Sequence, residues 1–324
     1  MHRLTPHVVR SLSRHGVLIA LLALIVFGFA RYDNFLGSYN ILSVLRYNSM
    51  FALVALGMAY VIMTGGIDLS VGSTAALGSV AAALLSPYGA VPGLAGGVAA
   101  GLAIGAVNAV VVTRLKVLPF IATLATMLAA SGCALLLAGN QSVSVSYESG
   151  FVELGQGDLL GFPVPAWIAV LAYALGSVAL NLTAWGRTVL AVGGNEEATR
   201  LMGLPADRAT ASVYLISGAL AGLAGVILAA QFGAGQPIEG VGWELFAIAS
   251  VVVGGTLLTG GVGSVGATLA GVLLLGLIFN ILNFENGLGW ISLSAYWQSV
   301  VRGAFLLLVV IIQARLVART EEVA

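Results

Sequence analysis

The chain is 324 residues long, 59% hydrophobic and only 8% charged, with 13 basic and 13 acidic residues and a mean hydropathy of +1.04. A soluble domain carries roughly a quarter charged residues, so this chain cannot cover a globule with a solvated surface. Its apolar runs of about twenty residues are helical span length, not the short alternating segments of a membrane barrel. Zero net charge excludes nothing about partners. The single cysteine, Cys133, provides neither a disulfide framework nor a thiolate metal site.

A basic head (Arg3, Arg10, Arg14) precedes the first apolar run. It lacks a convincing small-residue cleavage signal and is read as the start of a retained first helix. Apolar segments follow near 16–36, 41–63, 70–86, 91–112, 118–139, 163–183, 211–231, 243–258, 264–283 and 293–314. The expectation is an all-α polytopic membrane protein of about ten transmembrane helices. The layout is a cytoplasmic head over 1–15, one membrane domain over 16–315 and a cytoplasmic tail over 316–324.

Orientation follows from the basic residues. Arg114 and Lys116 follow the fourth span, Arg187, Arg200 and Arg208 follow the sixth, and Arg315 and Arg319 lie in the tail. The alternate links are acidic instead: Glu148, Glu153 and Asp158, then Glu239, then Glu285. Ten spans therefore place both termini and the basic links in the cytoplasm. Arg31 and Arg46 depart from this pattern by falling on the outer side.

Between the second and third spans lies Thr64-Gly65-Gly66-Ile67-Asp68-Leu69-Ser70-Val71-Gly72, where Asp68 is the only charged residue from Met50 to Leu85. Gly65 and Gly66 can interrupt a helix, and Asp68 and Ser70 can cap the one starting near Val71. A carboxylate at membrane depth also marks a solute pathway. Both readings stand, since a capped break can line a path. The pattern recurs faintly as Thr259-Gly260-Gly261-Val262 with Ser264-Val265-Gly266, giving a second expected break over 259–266 in parallel orientation. Thr64, Gly65, Gly66, Asp68, Ser70, Gly260 and Gly261 are the candidate pathway residues. Glycines at small-xxx-small spacing, Gly97, Gly101 and Gly105 and then Gly218, Gly222 and Gly225, are read as tight packing within the chain.

The absences restrict the chemistry. Lys116 is the only lysine, so no Gly-x-x-x-x-Gly-Lys phosphate loop exists. All three histidines, His2, His7 and His15, lie in the head, which leaves the membrane core without a histidine metal site or proton relay. Asp68 is the one clear intramembrane acid, with Glu244 expected near the outer end of its span. No nucleophile with a base is visible. The chain is expected to be no enzyme and to take its energy from elsewhere.

The link over 185–210 is the longest polar segment on the cytoplasmic side. Asn195 suits an N-cap, Glu196 and Glu197 the first turn, Arg200 the last, and Gly203 with Pro205 ends the helix. Ala198, Leu201 and Met202 give this two-turn helix a small apolar face, which fits docking of a cytoplasmic partner.

The 64–72 stretch resembles the signature of the membrane subunits of bacterial ABC importers for monosaccharides such as ribose, galactose and xylose. Ala191-Val192-Gly193-Gly194-Asn195 through Met202-Gly203-Leu204 is similar to that family's ATPase-coupling segment. The run from Glu244 to Gly263 resembles most a galactofuranose-type permease, with Phe246 standing where relatives often carry an acid. The resemblance covers about residues 40 to 315.

It implies a pore-forming inner-membrane subunit paired with a second permease, as homodimer or with a sister chain. A periplasmic sugar-binding protein would supply galactofuranose, ribose or galactose. A two-domain cytoplasmic ATPase, binding the ATP and magnesium that this chain does not, would grip Gly194, Asn195, Glu196, Glu197, Ala198, Arg200, Leu201, Met202 and Gly203. The alternatives are an ion-coupled carrier with Asp68 as cation ligand, or a membrane scaffold that transports nothing.

Overall fold

The computed structural model describes residues 6–288 and isolated positions further on (297, 300, 303, 304 and 307). The helices are α1 (Pro6–Arg31), α2 (Ser38–Met63), α3 (Val71–Leu85), α4 (Ala90–Thr113), α5 (Pro119–Ala138) and α6 (Glu153–Gln156). They continue with α7 (Val164–Leu182), α8 (Ala184–Gly194), α9 (Glu196–Leu201), α10 (Ala206–Phe232), α11 (Trp243–Val253) and α12 (Val265–Leu288). Seven are long and apolar enough to cross a membrane: α2, α3 with the turn after it, α4, α5, α7, α10 and α12. The apolar part of α1 and all of α11 are shorter. The all-helical expectation holds across the described residues; the tenth expected span, 293–314, and the tail lie outside them.

Among the described residues, strand pairing is confined to the links between α5 and α7 and between α10 and α11. Val143–Ser144 (β1) pairs antiparallel with Ala234–Gly235 (β4), and Asp158–Leu159 (β2) with Phe162–Pro163 (β3).

The centre of the fold is α10, packed against α2, α3 and α4. Its closeness to α4 follows from the two glycine stripes, which face each other. A Cβ at Gly101 would run into the Gly218 carbonyl oxygen, and one at Gly222 into that of Gly97. In lipid, helices gain nothing from hiding apolar surface from one another, so backbone approach through small residues does the work. Gly225 serves the same purpose toward α3, at Ala75 and Ser79.

The two arginines that depart from the charge pattern, Arg31 and Arg46, are each paired with an acid. Arg31 pairs with Glu285 at 3.4 Å, which also accepts from the Tyr32 hydroxyl at 2.6 Å, and Arg46 pairs with Asp158 at 2.8 Å. Both charges are thus answered by an ion pair within the bundle.

The eighth span differs from expectation. Helix α11 has only 11 residues. After β4 the backbone runs back alongside α3: the Gln236 amide donates to Ser79 Oγ at 3.0 Å, and Gly240 packs on Gly72 in the first turn of α3. Helix α11 then begins beside Phe51, midway along α2, with the Trp243 and Phe246 rings 4.8 and 4.5 Å from the Phe51 ring. Residues 236–242 are thus a re-entrant segment and not an outer link. Glu244, expected near the outer rim, sits at mid-depth with its carboxylate beside Gly72. Pro237, Gly240 and Gly242 hold this stretch out of a helix.

Candidate functional site

Helix α2 stops at Thr64, and Gly65 turns the chain at φ +80°. The chain then crosses to α3 through Asp68, which is 1% exposed. A buried carboxylate needs donors for both oxygens. Oδ1 accepts from the Ser70 amide (3.0 Å), the Ser70 hydroxyl (2.6 Å) and, at the limit of bonding distance, Asn108 Nδ2 (3.5 Å). Oδ2 accepts from the Ser217 hydroxyl of α10 at 2.8 Å. Asn108 on α4 also donates to Ser70 Oγ at 2.9 Å and accepts from Thr126 on α5 at 2.6 Å. Thr123 on α5 completes the clasp, accepting from the Leu69 amide and donating to the Ile67 carbonyl.

The capping expectation needs correction here. Ser70 occupies the N-cap position of α3, but its side chain makes no capping bond; its hydroxyl is committed to Asp68. Asp68 itself captures only the Ser70 amide locally, and its other donors come from side chains. One amide cannot satisfy a carboxylate in an apolar layer, so the break recruits α4 and α10. The sequence did not single out Asn108, Thr123, Thr126 or Ser217. Their only signal was polarity within otherwise apolar spans. Of the candidate pathway residues, Gly66, Asp68, Ser70 and Gly260 are buried, while Gly65 is exposed.

The two breaks meet. The Gly261 amide donates to the Met63 carbonyl at 3.0 Å. Gly260 lies against Gly65 and Gly193, and Gly261 against Gly194. A Cβ on Gly193 would collide with the Met63 carbonyl. Five glycines, Gly65 from the first break, Gly193 and Gly194 from the end of α8, and Gly260 and Gly261 from the second break, therefore form one joint of bare main chain. The echo between 64–72 and 259–266 is spatial as well as sequential.

Beyond this joint stands the polar link. Helix α8 went unrecognised in the sequence, although Trp185, Val189 and Val192 fall at helical spacing. Its start is capped by Thr183 Oγ1, which accepts from the Gly186 amide, and the Trp185 indole donates to Ser212 Oγ at 2.6 Å. Helix α9 forms as expected: Asn195 Oδ1 accepts from the Ala198 amide at 2.8 Å, and Gly203 at φ +75° ends it. Arg200 bridges Glu196 and Asp207, and Lys116 of the α4–α5 link also reaches Asp207, at 2.7 Å. The Asp207 and Glu196 carboxylates hold the Arg200 guanidinium above its ordinary pKa. Leu201 and Met202 project outward, 83% and 69% exposed.

Removing the cap should loosen this helix. Asn195→Ala is expected to cost about 1 kcal/mol locally, seen as faster hydrogen exchange at the Ala198 and Thr199 amides with the membrane helices unaffected. Unchanged exchange would mean that ion pairs alone hold α9.

Among the described residues no three His, Cys, Asp or Glu side chains are grouped as metal ligands. Residues 40–310 match the family model described as "Branched-chain amino acid transport system / permease component". The chain is 40% identical over 300 residues to the ribose import permease protein RbsC of Escherichia coli K12, covering 91% of this chain and 92% of that protein. It is 38% identical over 307 residues to RbsC of Bacillus subtilis, covering 94% of each. It is 35% identical over 302 residues to the L-arabinose ABC transporter permease protein AraH of Azospirillum brasilense, covering 93% and 87%. No solved structure matches. An end-to-end match to import permeases and a membrane-spanning bundle lead to one conclusion: the chain belongs to this family of ABC transporter permease subunits, which have no catalytic site of their own and leave ATP to a partner ATPase.

Proposed function

We propose that this chain forms the pore of an ATP-driven monosaccharide importer in the bacterial inner membrane, with both termini cytoplasmic. Two permease chains pair around the path, a periplasmic binding protein delivers the sugar, and a cytoplasmic ATPase docks on residues 194–203. The observation that carries the transport reading is identity of 35–40% along nine-tenths of the chain to ribose and arabinose permeases. Those names favour a pentose over the galactofuranose suggested by the 244–263 run. Phe246, at the position where relatives often carry an acid, packs in an aromatic cluster with Phe51 and Phe279.

Docking at α9 is supported by its exposed Leu201–Met202 tip, set on a helix fixed by a cap and a three-way ion pair. The glycine joint lies between that helix and both breaks, so a displacement of α9 reaches the breaks through main chain. The geometry around Asp68 disfavours an ion-coupled carrier, because both carboxylate oxygens are already engaged by protein donors.

Purifying the tagged chain from its native membrane should recover an ATPase with two nucleotide-binding halves. Met202→Asp and Glu196→Arg should lose that ATPase while inserting normally. ATPase recovery undiminished in both variants would defeat the docking assignment. Uptake in energised vesicles lacking ATP and any ATPase would establish a carrier instead.

A further inference from the structure

The re-entrant segment 236–242 raises a question that its packing does not answer. Its inner side is covered by α3, through Ser79 and Gly72, but its outer side carries Ile238, Glu239 and Val241 in the open, with Val241 86% exposed. Leu245 continues this open strip one turn into α11. Phe51 and Gly72 fix the depth of the strip near the middle of the bundle.

Two physical constraints act there together. Non-helical backbone at membrane depth is tolerated only where protein covers it or where it lines water. A carboxylate facing hydrocarbon costs a few kcal/mol even on the most lenient insertion scales. Glu239 is exposed and makes no ion pair among the described residues. Glu244 lies nearby in the first turn of α11, with its carboxylate beside Gly72. Lipid is therefore the wrong solvent for this strip. By contrast α7, which also leaves apolar side chains such as Leu175 open at mid-span, has continuous helix and no charge in its middle, as a lipid face requires.

We propose that the open strip of residues 238–241 with Leu245 lines the aqueous route of the solute, so that Glu239 presents a hydrogen-bond acceptor to a polyhydroxylated solute halfway across. The apolar neighbours Ile238, Val241 and Leu245 would meet the C–H faces of the same solute. Neutral sugars need such acceptors and no counter-ion. The assignment rests on the importer reading for its solute, and on depth and exposure for its location. It puts the path along the re-entrant side of the bundle, whereas Asp68 is sealed inside.

The test uses the assembled importer in native membranes, with exposed Cys133 replaced by alanine and single cysteines at Glu239, Val241 or Leu175. A charged, membrane-impermeant thiol reagent is expected to label E239C and V241C and to leave L175C unlabelled, while a lipid-soluble maleimide labels L175C. Trapping the ATPase with ATP and vanadate should change the labelling of V241C. Glu239→Leu, which removes the acceptor, should assemble normally and lose uptake, whereas Glu239→Gln, which keeps an acceptor oxygen, should retain part of it. If E239C and V241C behave like L175C, or are cross-linked to a second copy and unreactive in every state, the strip is not the path. If both are labelled but no sugar is transported by the wild-type assembly, the path stands and the importer reading falls.

Discussion

Gly101→Val should fail to accumulate as folded protein, and Gly101→Ala should melt well below the parent in detergent. A Cβ at Gly101 would strike the Gly218 carbonyl oxygen and lie 2.8 Å from both the Cα and the nitrogen of Gly222. These are backbone atoms of a packed helix and cannot swing aside as the end of a side chain can. The helices α4 and α10 must separate, and α10 also carries the contacts to α2 and α3. Overpacking typically costs about 1–3 kcal/mol, against a total stability of roughly 5–15 kcal/mol. Alanine here falls in or above the upper part of that range, and valine exceeds it. Gly132 on α5 is the control, because a Cβ there meets nothing within 4 Å. Gly132→Ala should be neutral or stabilise by up to about 1 kcal/mol through helix propensity. Equal melting of Gly101→Ala and Gly132→Ala, followed by thermal size-exclusion, would remove the seam from the account.

Asp68→Leu is the second large effect. It would strand the hydroxyls of Ser70 and Ser217, the Ser70 amide and part of Asn108 in a buried site. Each unsatisfied buried group costs about 1–3 kcal/mol, so the variant should be unstable and inactive. Asp68→Asn should be milder. Its carbonyl oxygen can still serve Ser70, and the Ser217 hydroxyl can rotate to accept from the new amide. Rotation is the key to the control. Ser217→Ala in the Asp68→Asn background removes that acceptor, so the pair should be less stable than Asp68→Asn alone. A direct role of Asp68 in holding solute makes the opposite forecast: Asp68→Asn would melt like the parent yet show weakened sugar binding. Comparing melting temperature with uptake for the same three proteins separates these outcomes.

Much of this arrangement was legible in the residues. Continuous apolar runs gave the spans because lipid leaves no other solution for the backbone. The short helix at 196–201 was legible because its ends are local: Asn195, Glu196, Glu197 and Gly203 each act within four residues. The Asp68 clasp was half legible. The break announced itself through Gly65-Gly66, but Asn108 and Ser217 become partners only when α4 and α10 close on each other, and nothing local marks that. The re-entrant segment was the main miss. Hydropathy along 243–258 reads the same for a half-helix starting at mid-depth as for a full span, and only contacts with Ser79, Gly72 and Phe51 reveal the depth. Helix α8 was masked by its own glycines, Gly186, Gly193 and Gly194, which argue against a helix locally, although Gly186 and Gly193 are required where its ends press on neighbouring backbone.

The joint of Gly65, Gly193, Gly194, Gly260 and Gly261 contains no side chain that could be exchanged for a longer or softer one. Ordinary substitution elsewhere can retune a packed interface in small steps, methyl by methyl. A contact made of peptide groups has no such dial: it keeps its spacing or it comes apart. Whatever else drifts in this chain, the distance between the polar link and the two broken helices is set by the thickness of the main chain.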